Sequence, residues 1–542
     1  MQALMMNTPL LITSIMRHAN NQHGNREVVS YTNDNPRHRY TYSDAFSRAG
    51  KLANALKSLG LTASDRVASL AWNDYRHLEL YYGVSCAGYV LHTVNPRLFP
   101  DQIAYVLNHA EDQYVFVDTL VVPVLEQIQE EITGVRGFIV LTDDANMPAT
   151  TLPNVRSYES LIAGQSEDFD WPDLDENTAC SLCYTSGTTG EPKGVLYSHR
   201  STVLHAYSLA MADTMGLSAR DAILPVVPMF HVNAWGTAYA GPMVGAKMIL
   251  PGAKAGDPKT LHELMDEESV TIALGVPTVW AGLLQFLALE DKTLHSLERT
   301  VVGGAACPAS MIDEFSLKHN VVVHHAWGMT ETSPLGTYNS ITPETEGLPE
   351  EERKIIGTKQ GRTVFGVEIK ITDDNDAELP CDGKQFGSLM IRGPWVARGY
   401  YQADESTYLN PGEWFETGDV ATIDPYGFMQ ITDRTKDIIK SGGEWISSIE
   451  LENLAVAHPG VVEAAVISIK HSKWGERPLL IVVPESALGV SAEDILGSLK
   501  GNVADWWLPD DIVFVDQLPH TATGKISKLQ LREQFSNFKL SS

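Results

Sequence analysis

The stretch Tyr184–Val195, which reads YTSGTTGEPKGV, decides how the rest of the 542-residue chain is interpreted. It surrounds Gly187 and Gly190 with four hydroxyl side chains and then places one cation, Lys193. Glycines let the backbone approach a ligand closely, and successive N–H groups in a turn form a cavity for an anion. The stretch therefore predicts a polyphosphate-binding loop, although such a segment is also typical of a solvated turn. Its spacing differs from that of Gly-x-x-x-x-Gly-Lys-Ser/Thr loops.

The composition is that of an ordinary globular protein, with 44% hydrophobic and 20% charged residues. The length predicts about three or four folding units. The formal net charge is −28, from 68 acidic and 40 basic residues. Because this excess of negative charge repels phosphate backbones and anionic lipid heads, we expect no nucleic-acid partner. No run approaches the about 20 apolar residues of a membrane span, and no basic region precedes the apolar N-terminus, so we expect no membrane segment or signal peptide.

The cysteines are scattered rather than clustered. They are Cys86, Cys180, Cys183, Cys307 and Cys381. Cys180 and Cys183 form a C-x-x-C pair, but no second pair completes a zinc site, so we interpret them as buried strand residues. This usage predicts a reducing compartment, and we expect a cytoplasmic protein.

Strands that alternate with helices on both sides of the loop predict a doubly wound α/β architecture. The predicted strands include 65–70, 114–117 and 138–141 before the loop, and 247–250, 271–276 and 300–302 after it. A β-hairpin is predicted at 421–433. A small α+β unit follows, with helices at 449–457 and 492–503 and strands at 464–469 and 479–483. We therefore expect a large domain at 1–432, a boundary at 433–436 and a small domain at 437–542.

Two further stretches are suited to a small apolar ligand. Pro228–Trp235 (PMFHVNAW) combines a proline, aromatic residues and His231 in an apolar setting, although a lone histidine is more often a satisfied core residue at the start of a buried helix. An amino-acid site would need a buried acid to pair with the substrate ammonium group, and this stretch supplies none. Gly303 and Gly304 follow a predicted strand and would let a flat or long ligand lie against the backbone, but they also suit a tight strand-to-helix turn.

Polar residues later in the chain suit a nucleotide. Asp419 follows a turn and could accept hydrogen bonds from two ribose hydroxyls, as acidic residues do in other nucleotide folds. The neighbouring His324 and His325 could suggest zinc, but no second ligand cluster supports it. The charged stretch 433–437 is typical of a solvated linker, and Lys525, in a Thr/Gly-rich loop, would on its own be a surface lysine.

Together these stretches resemble the motifs of the adenylate-forming enzymes, which include acyl-CoA synthetases, adenylation domains and luciferases. The motifs occur in the family's order: Tyr184–Val195, Pro228–Trp235, Gly303–Ala306, His325–Glu331, Trp414–Asp419, Asp433–Asp437 and Leu518–Ile526. The chain is similar to bacterial medium-chain fatty acid–CoA ligases, with methylmercaptopropionate–CoA ligases as near relatives. The resemblance implies a large N-terminal α/β domain of doubly wound sheets plus a small distorted β-barrel, and a smaller, mobile α+β C-terminal domain.

The resemblance also assigns roles to individual residues. For ATP and AMP binding these are Thr185, Ser186, Gly187, Thr188, Thr189, Gly190, Lys193, Gly304, Ala305, Ala306, His325, Ala326, Trp327, Gly328, Met329, Thr330, Asp419, Arg434, Lys440 and Lys525. The implied acyl pocket is His231, Val232, Trp235 (a gate), Gly303, Gly304 and Gly328, and the CoA channel is Gly442, Gly443, Glu444 and Trp445. The implied catalytic residues are Lys525, Thr330, Glu331 and His231, the Mg²⁺ ligands are Thr185 and Glu331, and the hinge is Lys436.

The implied reaction joins a carboxylic acid to CoA at the expense of ATP, through an acyl-adenylate. Lys525 and the Gly442–Glu444 loop belong to the same small domain, so rotation about Lys436 would exchange them between half-reactions. We expect a medium-chain aliphatic acid as substrate and, from the resemblance, a homodimer. The alternatives are a ligase for a short or substituted acid such as methylmercaptopropionate, a luciferase-like oxygenase, a kinase or ATPase, and a non-catalytic nucleotide-binding regulator. The lack of a carrier-protein domain after Ser542 disfavours an assembly-line module.

Overall fold

The structure is a computed structural model, and it describes residues 1, 3–185, 191–403, 409–410, 412–442, 444–485, 489–520 and 526–540. For residues 409, 410 and 444 the description covers the backbone alone. The chain divides into two compact units. Unit 1 contains Met1–Thr185, Pro192–Glu368 and Arg392–Phe415, and unit 2 contains Ile369–Ile391 and the residues from Glu416 onward. Each unit is described by itself.

The elements of unit 1 are numbered in chain order. Its strands are β1 (Glu27–Ser30), β2 (His38–Thr41), β3 (Arg66–Leu70), β4 (Val90–Thr93), β5 (Tyr114–Val117), β6 (Gly137–Val140), β7 (Val155–Ser157), β8 (Ala179–Tyr184), β9 (Gly194–Ser198), β10 (Ala222–Pro225), β11 (Lys247–Leu250), β12 (Ile272–Gly275), β13 (Arg299–Val302), β14 (Val322–Gly328), β15 (Leu335–Tyr338) and β16 (Arg362–Thr363). Its helices are α1 (Ile12–His23), α2 (Tyr42–Ser58), α3 (Tyr75–Ser85), α4 (Pro100–Ala110), α5 (Val122–Ile128), α6 (Tyr158–Ile162), α7 (His199–Ala210), α8 (Val232–Trp235), α9 (Thr237–Val244), α10 (Pro258–Glu267), α11 (Pro277–Leu289), α12 (Ala309–His319), α13 (Pro343–Glu346) and α14 (Glu350–Thr358).

Short polar side chains start many of these helices. Each accepts a hydrogen bond from a backbone N–H of the first turn, which has no partner inside the helix. The capping residues are Thr41 for α2, Asp74 for α3, Ser157 for α6, Ser198 for α7 and Asp257 for α10. The positions where strand segments give way to helices are therefore encoded locally.

Two large sheets form the body of unit 1. The first has the strand order β7-β6-β5-β3-β4-β8-β9, and only β9 runs antiparallel to its neighbour. The second has the order β16-β15-β14-β13-β12-β10-β11-β1-β2, with antiparallel strands at its two edges. The central strands β4, β5, β6, β10 and β12 are buried at every position, as expected where helices cover both faces of a parallel sheet.

The core beside the second sheet is built around large side chains that are out of contact with solvent. Trp280 and Phe315 are fully buried, and their rings meet edge to face with centroids 6.1 Å apart. A Cβ added at Gly275 would lie 2.6 Å from the Trp280 ring, so β12 needs a glycine there. This packing fixes α11 and α12 against the strands whose carboxyl ends carry the predicted ligand-binding residues.

Unit 2 contains two smaller sheets. Its elements and those at the division are β17 (Glu368–Thr372), β18 (Phe386–Arg392), β19 (Leu409–Asn410, in unit 1), β20 (Trp414–Ile423), β21 (Met429–Arg434), β22 (Ile439–Ser441), β23 (Glu444–Ile446), α15 (Ser448–Val456), β24 (Val461–His471), β25 (Gly475–Pro484), α16 (Ala492–Leu499), β26 (Asp511–Phe514) and α17 (Lys528–Gln534). One sheet has the order β17-β18-β20-β19 with β21 paired to β20, and the other has the order β23-β22-β25-β24 with β26 paired to β25. Closure of the first into a small barrel stays a prediction.

The sheet formed by β22–β26 is covered on both faces. Alternate residues of β24 and β25 belong to two different clusters, since successive strand residues point to opposite faces. Ala464, Val466, Leu480 and Val482 pack with residues of α15 and α16, whereas Ala465, Ile467, Leu479 and Ile481 pack with Leu531 of α17. Both strands are consequently apolar along most of their length, which is why the sequence identifies them.

The predicted strands and helices are found close to their predicted positions, and the α/β class is confirmed. The hairpin predicted at 421–433 is the antiparallel pair β20–β21. One helix was predicted too long, because α16 ends at Leu499 and Gly501 takes a left-handed φ of 82°. No helix within the described ranges is long and apolar enough to cross a membrane.

Candidate nucleotide and acyl site

The predicted phosphate loop leaves β8 and returns on β9. Tyr184 and Gly194 pair across this hairpin. At its base the Thr185 N–H donates to the Lys193 carbonyl at 2.9 Å, and the Lys193 N–H donates to Thr185 Oγ1 at 3.2 Å. The two ends of the loop are therefore held side by side. Ser186, Gly187, Thr188, Thr189 and Gly190 lie outside the described residues.

A second predicted segment begins where β14 ends. Thr330 and Glu331 lie in a short helical turn between β14 and β15 and are only 6% and 5% exposed. The Tyr197 hydroxyl donates to the Thr330 carbonyl at 2.6 Å, and the Ala397 N–H donates to the Glu331 carbonyl at 2.7 Å. The Tyr400 hydroxyl donates to Glu331 Oε1 at 2.6 Å. The Glu331 carboxylate is thus held in a defined orientation although little of it reaches solvent.

The chemistry of these side chains fits Mg²⁺. Glu331 offers carboxylate oxygen and Thr185 offers hydroxyl oxygen, and both are hard ligands of the kind that Mg²⁺ prefers. The described ranges contain no group of three or more His, Cys, Asp and Glu side chains that could hold a metal by themselves. An ion at Glu331 and Thr185 would complete its coordination with phosphate oxygens and water.

The histidines of β14 bond to backbone carbonyls. His324 Nδ1 lies 2.9 Å from the Asn339 carbonyl, and burial lowers the pKa of His324. His325 Nδ1 lies 2.9 Å from the Thr358 carbonyl and its Nε2 lies 3.3 Å from the Ala305 carbonyl. Burial also lowers the pKa of His325. His325 therefore ties β14 to the predicted adenine segment at Ala305.

The predicted acyl-pocket stretch does not form the right-handed helix start that the sequence suggests. Val232, Asn233, Ala234 and Trp235 all have positive φ, from 46° to 54°, so α8 is a single left-handed turn. Such backbone costs on the order of 1–3 kcal/mol for each non-glycine residue and persists only where the surroundings enforce it. The sequence carries little local signal for this turn, because left-handed backbone is ordinarily reserved for Gly, Asn and Asp and Asn233 alone among its four residues is of these types.

Long-range hydrogen bonds hold the segment that leads into the turn. Buried Asn73 donates to the carbonyls of Pro225 and Val227 at 2.8 and 2.9 Å, and its Oδ1 accepts from the Met229 N–H at 2.6 Å. The Tyr81 hydroxyl donates to the Met229 carbonyl at 2.5 Å and lies 3.1 Å from Asn233 Oδ1 within the turn. Asn73 and Tyr81 precede these partners by 148 to 156 residues in the sequence.

The turn brings Trp235 against Gly303. A Cβ added at Gly303 would lie 2.9 Å from Trp235 Cη2 and 3.0 Å from the Ala326 carbonyl oxygen. Three stretches that the sequence assigns to the acyl and adenine pockets therefore meet at one point, at the carboxyl end of β13. Open α/β sheets bind ligands at this end of their strands. Gly304 has a φ of 78°, which also favours glycine.

Two of the other predicted pocket residues have structural explanations. Gly328 has no room for a side chain, because a Cβ there would lie 1.9 Å from the Pro334 carbonyl oxygen. His231 is half-buried, and its N–H donates to the Pro228 carbonyl at 3.1 Å. The catalytic role of His231 stays a prediction.

In unit 2 the two predicted ribose contacts lie on one hairpin. Asp419 of β20 is directly opposite Arg434 of β21, and Arg434 Nε lies 2.8 Å from Asp419 Oδ1. The Asp419 side chain is 4% exposed and that of Arg434 is 46% exposed. The Asp419 N–H also donates to Thr417 Oγ1 at 3.1 Å. The Asp419 carboxylate is therefore held in a defined orientation by Arg434.

The predicted CoA-channel loop lies beside a tryptophan that the sequence did not indicate. Gly442 has a φ of 63°, and its N–H donates to the Trp474 carbonyl at 2.7 Å. Lys440 Nζ pairs with Asp374 at 3.0 Å and lies 4.9 Å from the Trp445 ring centroid. Gly443, the Glu444 side chain and Lys525 lie outside what the structure describes. The ATP contact predicted for Lys440 and the channel stay predictions.

The structure also adds residues that sequence reasoning missed, namely Asn73, Tyr81, Tyr197 and Tyr400. All act through contacts with segments far away in the chain, so no local pattern identifies them. The only available signal was the Gly399-Tyr400-Tyr401 sequence shortly after a strand, which is typical of many turns.

Comparison with known proteins places this chain in a family. The model of the AMP-binding enzymes matches residues 16–401, and that of the AMP-binding enzyme C-terminal domain matches residues 450–525. The chain belongs to the AMP-binding enzyme family.

Relatives that match over nearly the full length carry more specific names. The chain is 52% identical to a medium-chain-fatty-acid–CoA ligase of Ectopseudomonas oleovorans, over 99% of this chain and 98% of the relative. It is 50% identical to a 3-methylmercaptopropionyl-CoA ligase of Ruegeria lacuscaerulensis, over 98% of each chain. The crystal structure of an anthranilate CoA ligase in complex with anthranoyl-AMP superposes with a TM-score of 0.84 at 25% identity, over 98% of each chain.

Proposed function

We propose that the protein is an AMP-forming acid–CoA ligase whose substrate is a medium-chain fatty acid. The apolar contact of Trp235 with Gly303, next to the predicted adenine segment, carries the substrate part of the proposal. The turn that holds Trp235 contains no carboxylate to pair with a charged substrate tail. The relative that is named a medium-chain-fatty-acid–CoA ligase supports the same substrate.

In the first half-reaction a carboxylate oxygen of the acid attacks the α-phosphorus of ATP. A P–O bond forms, the bond to the β-phosphate oxygen breaks, and pyrophosphate leaves. Lys193, at the base of the phosphate loop, would offset charge on the leaving group. Lys525 would lie between the two anions that must meet. A bound Mg²⁺, held by Glu331 and Thr185, would supply further charge neutralisation.

In the second half-reaction the CoA thiol attacks the acyl carbonyl carbon. A C–S bond forms, the C–O bond to AMP breaks, and the thiol proton passes to solvent. We propose that the Gly442–Glu444 loop replaces Lys525 for this step through rotation about Lys436, which is a hinge-type conformational change. Burial and the nearby cations Arg434, Arg532 and Lys528 lower the pKa of Lys436, and Asp437 opposes them.

A second candidate is a ligase for 3-methylmercaptopropionate, which the relative at 50% identity favours. Pentanoate has the same chain shape with a methylene in place of sulfur, so it is the matched comparison. Each additional methylene buried in an apolar tunnel contributes about 0.8 kcal/mol, so kcat/KM should rise about fourfold per carbon until the tunnel is filled.

The experiment measures AMP and acyl-CoA formed from ATP, Mg²⁺, CoA and acids of four to fourteen carbons, together with 3-methylmercaptopropionate. We expect a maximum between six and twelve carbons and loss of adenylation in Lys525→Ala. A higher kcat/KM for 3-methylmercaptopropionate than for both pentanoate and octanoate would establish the second candidate instead. Absence of AMP with every acid would favour the nucleotide-binding regulator, and light emission or oxygen uptake would indicate an oxygenase.

We also propose a compartment and an oligomeric state for the enzyme. All five cysteines are free, and four of them are buried, which supports a reducing compartment such as the cytoplasm. The resemblance to the family supports a homodimer. Light scattering on the purified protein would test this by comparing its mass in solution with that of one chain.

A further inference from the structure

Tyr400 contacts two groups that belong to different motifs of the proposed site. Its hydroxyl donates to Glu331 Oε1 at 2.6 Å. Its ring faces Lys193, whose Nζ lies 4.9 Å from the ring centroid. One half-buried side chain therefore links the carboxylate expected to hold the metal ion with the cation expected to hold the leaving phosphates.

Backbone hydrogen bonds fix Tyr400 in this position from both sides. The Ala397 N–H donates to the carbonyl of Glu331 itself at 2.7 Å, and the Tyr401 N–H donates to the carbonyl of Gly194, next to Lys193, also at 2.7 Å. The Tyr400 ring further packs edge to face with Phe415 at 6.2 Å. The segment thus crosses from the turn that carries Glu331 to the start of β9, which Lys193 immediately precedes.

We propose that Tyr400 is a positioning residue that sets the orientation of Glu331 and Lys193 together, before MgATP binds. The inference rests on the proposed function. A phenol that donates to one carboxylate oxygen directs the other oxygen away from the bond. An aromatic face attracts an ammonium group and so restricts where it lies. Glu331 and Lys193 are therefore held in fixed positions relative to the same side chain.

The two contacts of Tyr400 can be removed separately. Tyr400→Phe deletes the hydroxyl and keeps the ring face, whereas Tyr400→Leu deletes both. Tyr401→Phe is the matched control, because the Tyr401 hydroxyl accepts a hydrogen bond from the exposed Gln402 side chain at 3.3 Å. Binding of ATP is measured by calorimetry without acid or CoA, across a series of Mg²⁺ concentrations and in EDTA.

Mg²⁺ should tighten ATP binding, and we measure the Mg²⁺ concentration at which half of this effect is reached. We expect Tyr400→Phe to raise that concentration about tenfold, which is the order expected for a lost hydrogen bond to a charged group. Its ATP affinity in EDTA should match that of the wild type. Tyr400→Leu should show the same Mg²⁺ shift and, in addition, weaker ATP binding in EDTA. Tyr401→Phe should behave as the wild type in both measurements.

A purely structural role would give a different pattern. In that case Tyr400→Phe would lower the melting temperature and leave the Mg²⁺ dependence unchanged, which would overturn the inference. If the wild type binds MgATP and Tyr400→Phe shows the same Mg²⁺ dependence, this inference is wrong and the proposed function still stands. Wild-type protein that fails to bind MgATP would remove both.

Discussion

Arg532 of α17 pairs with Asp437, the residue that follows the predicted hinge Lys436, with Nη1 and Oδ1 2.7 Å apart. One turn earlier on the same helix, Lys528 Nζ lies 2.7 Å from Glu452 Oε1 and donates to Ser448 Oγ at 2.6 Å. Residues four apart share one helix face, so α17 contacts the hinge region through a single stripe of cations.

The same helix is close in sequence to the proposed catalytic lysine. Lys525 precedes the first residue of α17 by three positions. On the other side of the hinge, Asp433 accepts hydrogen bonds from the backbone N–H groups of Arg434 and Ser448. The hinge segment is therefore held within unit 2 from both ends, and its ion pairs are suitable targets for mutation.

Arg532→Gln should destabilise unit 2 by about 1–3 kcal/mol, because it leaves the largely buried Asp437 carboxylate without its partner. The Asp437 side chain is 10% exposed and that of Arg532 is 26% exposed. Urea denaturation followed by tryptophan fluorescence measures the effect. Lys318→Gln breaks an exposed i,i+4 pair with Glu314 and should cost less than about 0.5 kcal/mol; equal losses for the two variants would contradict the prediction.

His205 should make stability fall as the pH drops below about 6.5. Burial lowers the pKa of His205 to about 3, and its Nε2 accepts the Leu335 N–H at 3.2 Å. His205 binds a proton at a higher pH in the unfolded chain than in the folded chain. The contribution of neutral His205 to the free energy of unfolding is therefore complete above the unfolded pKa and is lost as the pH falls toward 3. The slope for one proton is about 1.4 kcal/mol per pH unit.

Free energies of unfolding at pH 7, 6 and 5 test this contribution. His205→Gln keeps a possible acceptor but cannot titrate, so its free energy of unfolding should depend less steeply on pH than that of the wild type. The exposed His295 provides the control, and His295→Gln should leave the slope unchanged. An identical slope in His205→Gln and the wild type would show that His205 makes no such contribution.

Gly303→Ala should impair use of the acid and spare nucleotide binding. The new methyl group would lie 2.9 Å from the Trp235 ring and 3.0 Å from the Ala326 carbonyl oxygen, so the ring must tilt into the proposed acyl pocket. We expect kcat/KM for octanoate to fall about tenfold or more, in line with the sensitivity of a site to small displacements, with the Kd for ATP within about twofold of the wild type.

A second substitution should reverse this loss. In Gly303→Ala/Trp235→Ala the obstructing ring is gone, so activity on long acids should recover while chain-length selectivity weakens. Gly497→Ala is the control, because a Cβ at that helical glycine meets no atom within 4 Å. If the double variant is as impaired as Gly303→Ala alone, the Trp235 ring is not the cause.

Asp419→Ala should weaken ATP binding about tenfold to a hundredfold, by removing charge-assisted hydrogen bonds to the ribose. The use of 2′,3′-dideoxy-ATP isolates this contact. The wild type should bind the analogue about as weakly as Asp419→Ala binds ATP, and the variant should not distinguish the two nucleotides. A variant that still prefers ATP over the analogue would show that Asp419 does not contact the ribose hydroxyls.

Much of the fold was predictable because its signals are local. The buried strand β5 was predicted at its observed bounds, Tyr114–Val117, and β11 at Lys247–Leu250. Both are short apolar runs with polar neighbours, a pattern that depends on a few consecutive residues. The helix α16, predicted at 492–503, ends at Leu499, and Gly501 beyond it takes a left-handed φ of 82°.

The candidate site likewise has a part that the sequence predicts and a part that it does not. Asp419 and Arg434 are 15 residues apart on one hairpin, so a sequence motif could suggest that they act together. The left-handed turn at Val232–Trp235 could not be foreseen, because Asn73 and Tyr81, from the first part of the chain, hold the segment that leads into it. Its conformation opposes the preference of Val and Trp, and only tertiary hydrogen bonds overcome such a preference.

The sequence by itself determined the family, the order of strands and helices, and the chemical groups available for catalysis, since each of these depends on residues close together in the chain. The tertiary structure decided which groups meet: Trp235 with Gly303, His325 with Ala305, and Tyr400 with both Glu331 and Lys193. The physical reason is that these contacts join segments brought together by sheet pairing and core packing. A contact of this kind depends on the whole fold and leaves no pattern at either of its ends.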